Sequence, residues 1–115
     1  MTDVTIWHNP RCSKSRQTLA LLEEKGVAPT VRKYLEDAPT ETEIRGALAA
    51  LGLKAVDMMR TKEAEFKDQD LSRDSSEDLL IAAMARTPKL IERPIVFTDT
   101  RARIGRPPEA VLDIL

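Results

Sequence analysis

A chain of 115 residues with a single cysteine can form no internal disulfide and no thiolate zinc cluster. Its 42% hydrophobic and 32% charged residues fit one soluble globular domain and exclude a disordered or fibrous chain. With 18 basic against 19 acidic side chains it lacks the basic excess of a nucleic-acid or membrane-surface binder. No basic segment precedes an apolar run at the N-terminus, and no stretch approaches the ~18 apolar residues of a membrane span. The expectation is a cytoplasmic monomer with a free thiol.

Val4 to Trp7 is β-prone and reads as a first strand, broken by Asn9-Pro10. Ser13 to Lys25 reads as a helix, with Thr18, Leu19 and Leu22 on one face and Gly26 as its stop. Thr30 to Leu35 alternates and reads as strand two. Thr40-Glu41-Thr42-Glu43 is a capping box opening a helix through Ile44, Leu48 and Leu51 to Gly52. Short helical pieces follow at Val56 to Met59 and Glu63 to Lys67. Ser75 with Asp78 repeats the cap signature before Leu79, Leu80, Ala83 and Met84. Ile95 to Thr98 is a strand that Asp99-Thr100 turns into a second, Arg101 to Gly105, and Pro107-Pro108 starts a last helix.

The order β-α-β, helical block, β-β-α is that of an α/β thioredoxin-like fold, in one domain with a helical insertion at about residues 40–87. Periodicity by itself also fits other α/β and α+β folds. In the thioredoxin-like arrangement Arg93-Pro94 precedes a central strand, where proline is often cis.

Cys12 falls between strand one and helix one, at a helix start where unpaired N–H groups and the positive end of the helix dipole favour an anion. Arg11, Lys14 and Arg16 add positive charge, and thiolate is the nucleophilic form. A core cysteine would not ordinarily sit in so polar a loop, so we read Cys12 as reactive. Ser15 stands where a Cys-x-x-Cys oxidoreductase has its resolving thiol, and Thr18 where a phosphatase loop needs arginine. With one histidine and one cysteine, a zinc site is not expected. Arg60, Arg93 and Arg106 are candidates for a tetrahedral oxyanion, because guanidinium offers forked donors. His8 is either a strand-end hydrogen-bonding residue or a group that helps Cys12 ionise.

Four segments together resemble the ArsC-type, glutaredoxin-linked arsenate reductases of the ArsC/Spx superfamily, in the short branch typified by YffB and YfgD. They are His8 to Arg16, Met59 to Glu63, Pro88 to Val96 and Gly105 to Glu109. The likeness runs from Thr5 to Leu115. It implies reduction of arsenate to arsenite, with glutathione as co-substrate, glutaredoxin as partner and no bound cofactor. On that likeness Cys12 attacks arsenate, Arg60, Arg93 and Arg106 hold its oxygens, His8 helps the thiol ionise, and Ser15 donates a hydrogen bond to it. Plasmid-type reductases carry Gly-Thr after the cysteine; this chain has Ser13-Lys14. Two other readings stay open: a glutathione-dependent thiol reductase or glutathione-binding protein without arsenate activity, and a Spx-like regulator that binds RNA polymerase.

Overall fold

The computed structural model describes residues 3–115. Two compact units divide the chain, one built from the residues up to Asp37 together with Arg93–Leu115, the other from Ala38–Glu92.

In the first unit, β-branched and aromatic residues make strand β1, Thr5–Trp7. Helix α1, Ser13–Glu24, follows, and Gly26 ends it in the left-handed region at φ 79°. Strand β2, Thr30–Arg32, returns parallel to β1, with Ile6 opposite Val31. Strands β3, Ile95–Phe97, and β4, Ala102–Ile104, complete a sheet of order β2-β1-β3-β4. Strand β3 is antiparallel to both β1 and β4, so Trp7 lies opposite Ile95 and Ile95 opposite Ile104. The thioredoxin-like fold has this order and these directions.

The two-residue period of the strands sends Ile6 and Val96 to one face. There they form a core with Val4, Leu22 of α1, and Val111 and Ile114 of a terminal 3-10 helix, Pro108–Ile114. Each such aliphatic side chain is worth about 1.5–3 kcal/mol when fully buried. On the opposite face Trp7 packs on Phe97 at 4.8 Å between centroids, with the Arg32 guanidinium 5.7 Å from the indole.

The register decides what meets at one end of the sheet. His8 leaves β1, Pro94 enters β3 and Gly105 leaves β4 on the same side, and the Gly105 N–H donates to the Pro94 carbonyl at 2.9 Å. The Arg93–Pro94 bond is cis, as the thioredoxin-like reading expects, and so is Arg106–Pro107.

Strand two is shorter than its alternation suggests. The Glu36 and Asp37 N–H groups both donate to the Lys33 carbonyl, so the chain turns after Arg32 and Tyr34 goes inside. The last helix is 3-10, with Ala110 N–H bonding three residues back to Pro107.

The second unit contains helices α2, Glu41–Leu51, α3, Ala64–Asp68, and α4, Glu77–Arg86, with 3-10 turns at Ala55–Met58 and Pro88–Leu90. Thr40 and Glu43 form the capping box, and Gly52 closes α2 at φ 69°. Ile44, Ala47 and Leu48 of α2 and Leu80, Ile81, Ala83 and Met84 of α4 are buried where these two helices pack. The cap of α4 is Ser76, one residue beyond the expected Ser75. Ser76 accepts from Leu79 N–H, while Ser75 accepts from Ser72 N–H and shapes the preceding turn.

Candidate active site

Cys12 is the N-cap of α1, in extended conformation and 9% exposed. The loop before it is drawn tight by its own polar groups. Asn9 Oδ1 accepts from Arg11 N–H at 3.0 Å, and the Asn9 carbonyl accepts from Cys12 N–H at 3.0 Å. Arg16, one turn along α1, donates from Nη1 to the Pro10 carbonyl at 3.0 Å. The Cys12 side chain makes no capping bond, so its sulfur is not engaged by the first turn of the helix.

Arg106 reaches that sulfur from the far end of the sequence. Its Nη2 lies 3.7 Å from Cys12 Sγ, while its Nε donates to the Arg93 carbonyl at 2.9 Å. One guanidinium thus spans the thiol and the backbone before Pro94. Arg93 itself carries Nε and Nη1 buried without a hydrogen-bond partner among the described residues. Buried, unpaired charged donors are costly. Forked guanidinium donors of this kind pair well with anions.

Ser15 and His8 form a buried pair behind the loop. His8 Nδ1 is 2.7 Å from Ser15 Oγ, and Ser15 Oγ accepts from Asn9 N–H at 3.0 Å. Burial, and then the charges of Lys33 and Arg16, hold the His8 imidazole below its ordinary 6.5, so it is neutral at pH 7. With Oγ already accepting from Asn9, the hydroxyl proton is available to a neutral Nδ1, the tautomer with its hydrogen on Nε2. Ser15 therefore ties the end of β1 to the first turn of α1.

Arg60 lies in the second unit. There its N–H donates to the Leu90 carbonyl, and its guanidinium pairs with Glu63 at 2.6 Å and approaches Glu92 at 3.9 Å. Of the five other expected site residues, Arg106 joins Cys12 to Arg93, and Ser15 joins His8 to the loop.

Two contributors carried little sequence signal. Asn9 reads as a strand breaker, yet both its side chain and its carbonyl shape the loop. Gly105 reads as a strand end. A β-carbon built there would stand 2.6 Å from Thr18 Oγ1 and 2.8 Å from Pro94 Cγ, so only glycine lets β4, α1 and Pro94 meet. Among the described residues no group of three or more His, Cys, Asp or Glu side chains is placed to hold a metal ion. No described helix is long and apolar enough to cross a membrane.

Comparison with known proteins matches residues 7–114 to the ArsC family model. The chain is 52% identical to YfgD of Escherichia coli K12, over 97% of this chain and 96% of that one. It is 47% identical to an arsenate reductase of Haemophilus influenzae, over 97% of this chain and 98% of that one. A solved arsenate reductase from Vibrio cholerae superposes with a TM-score of 0.96 at 54% identity, over 99% of this chain and 98% of that one.

Proposed function

Since this chain belongs to the ArsC family, we propose that it is an arsenate reductase in which Cys12 is the nucleophile and glutathione and glutaredoxin supply the reducing thiols. The observation that carries the reading is the Arg106 guanidinium between Cys12 Sγ and the Arg93 carbonyl, together with the Nε and Nη1 of Arg93, which are buried without a hydrogen-bond partner among the described residues. The likeness to arsenate reductases at 47% and 54% identity supports the choice of oxyanion.

In the proposed reaction the Cys12 thiolate attacks As(V) and one arsenate oxygen leaves as water. Arg106 and Arg93 take the charge of the remaining oxygens, and Arg60 joins them on the strength of the family motif Met59-Arg60-Thr61-Lys62-Glu63. Glutathione displaces a second oxygen to give an arsenic bonded to two sulfurs. A glutaredoxin thiolate then attacks the glutathione sulfur. The arsenic–sulfur electron pair stays on arsenic, which becomes As(III), and the two external sulfurs leave as a mixed disulfide. Water releases arsenite from Cys12, and the protein thiol returns unchanged. One protein sulfur suffices because the oxidised pair is external.

His8 and Ser15 act in this scheme as positioning residues for the thiol loop. The chain works as one ArsC-type domain over residues 1–115, with the helical segment as its insertion. The site is a cytoplasmic, monomeric enzyme's, with no bound cofactor.

The test is a coupled assay following NADPH oxidation with arsenate, glutathione, glutaredoxin and glutathione reductase. Turnover should require arsenate and vanish in Cys12→Ser. No arsenate-dependent turnover, or turnover that survives in Cys12→Ser, refutes the proposal.

A further inference from the structure

A cavity adjoins the thiol loop. It is a groove of about 270 Å³ lined by His8, Asn9, Pro10 and Arg11 of the loop and by Lys33, Leu35 and Glu36 of the turn after β2. A tetrahedral oxyanion needs only a few water volumes of about 30 Å³ each, so the groove has room for a larger molecule. Its lining is specific in kind. Arg11 and Lys33 offer two positive charges, Glu36 one negative charge, and Leu35, 46% exposed, an apolar wall. The His8 imidazole beside them is neutral at pH 7. The groove also adjoins the nucleophile, since Asn9, which lines it, accepts the Cys12 N–H.

We propose that this groove is the subsite for the small thiol reductant, and that it receives glutathione by matching its two carboxylates to Arg11 and Lys33 and its single ammonium to Glu36. Two cations and one acid complement a tripeptide with two negative charges and one positive charge. A dianion such as phosphate has no use for Glu36, and an apolar ligand none for the three charges. The inference rests on the reductase reading above for the role of the ligand, while the groove and its charges are independent of it.

The probe is S-methylglutathione, which keeps every charge of glutathione and cannot exchange with Cys12. Titrated into the ¹⁵N-labelled full chain, it should shift the amides of residues 8, 9 and 11 and of 33–36. Lys33→Glu should weaken its binding by about five- to tenfold, and Lys33→Gln by a smaller factor, as expected for exposed charge pairs. Inorganic phosphate, titrated into the same variants, should keep its affinity within about twofold, because Lys33 is exposed and its charge is screened by salt. Shifts confined to Arg93–Ile95 and Arg106, or unchanged S-methylglutathione affinity in Lys33→Glu, overturn the groove assignment. Arsenate turnover with a silent groove refutes this inference alone. Groove binding without arsenate turnover refutes the substrate and leaves the subsite standing.

Discussion

Gly105→Ala is the most demanding test of the packing beneath the site. The added carbon would lie 2.6 Å from Thr18 Oγ1, 3.1 Å from Thr18 Cγ2 and 2.8 Å from Pro94 Cγ. Non-bonded carbons are comfortable at about 3.5–4.0 Å, so relief requires movements approaching an ångström. Neither neighbour moves cheaply. Thr18 is fully buried, and its hydroxyl donates to the Lys14 carbonyl at 2.8 Å. The Pro94 ring is part of the backbone whose carbonyl accepts from Gly105 itself. Overpacking of this kind costs about 1–3 kcal/mol, and the entropic gain of replacing glycine returns roughly 0.4–1 kcal/mol. A net loss of about 1–2 kcal/mol lowers the melting temperature by roughly 4–8 °C in a domain of this size. Thermal unfolding followed by circular dichroism measures it. In a Thr18→Ala background two of the three close contacts disappear, so Gly105→Ala should cost about 1 kcal/mol less there than in the native chain. A Gly105→Ala protein that melts at or above the native temperature refutes the argument. So does a loss that is the same in both backgrounds.

Ser15→Ala leaves His8 Nδ1 and Asn9 N–H without their shared partner, and should lower stability by about 1–3 kcal/mol in urea unfolding; an unchanged midpoint would remove the pair from the structural account. The lowered His8 titration fixes a pH dependence. Above 6.5 both folded and unfolded chains hold a neutral imidazole, whereas below it the unfolded chain takes up the proton first, so stability falls as the pH drops below 6.5. The urea midpoint should therefore decline from pH 7 to pH 5.5, and His8→Gln should flatten that decline; a native midpoint that rises over this range contradicts it. Arg93→Met removes buried donors that lack partners among the described residues, so the ligand-free protein should melt no lower than native while phosphate and arsenate lose their stabilising effect. A lower melting temperature with ligand protection intact would assign Arg93 a purely structural role. Arg106→Lys keeps the charge but replaces the two separate nitrogens that serve the Arg93 carbonyl and Cys12 Sγ with a single ammonium, and should reduce kcat/KM for arsenate by about 10- to 100-fold in the coupled assay.

What the sequence disclosed is what local physics controls. The Thr40–Glu43 box and Gly52 mark the ends of α2 because capping bonds and a left-handed residue act within a few positions. Cys12 at the start of α1 is legible for the same reason. The end of β2 is not, because Thr-Val-Arg-Lys-Tyr-Leu alternates equally well as a strand or as a strand followed by the Lys33 turn that buries Tyr34. Ser75 and Ser76 are chemically identical candidates, and only the turn at Ser72 separates them. The His8–Ser15 bond depends on how the intervening loop folds. The approach of Gly105 to Thr18 depends on the sheet register, which no single stretch encodes. Arg93 and Arg106 were visible as residue types, but Arg106 reaches Cys12 across 94 positions.

The uncapped side chain at the head of α1 has a consequence for how inactive variants should be understood. Serine or aspartate at an N-cap contributes about 1 kcal/mol more than a residue that makes no such bond. Cys12 occupies the cap position and makes none. A thiol there leaves a weaker first helix than the same backbone would support. Exchanging sulfur for oxygen at this one atom sets chemical reactivity against folding stability, so the catalytically dead Cys12→Ser protein should be the sturdier of the two.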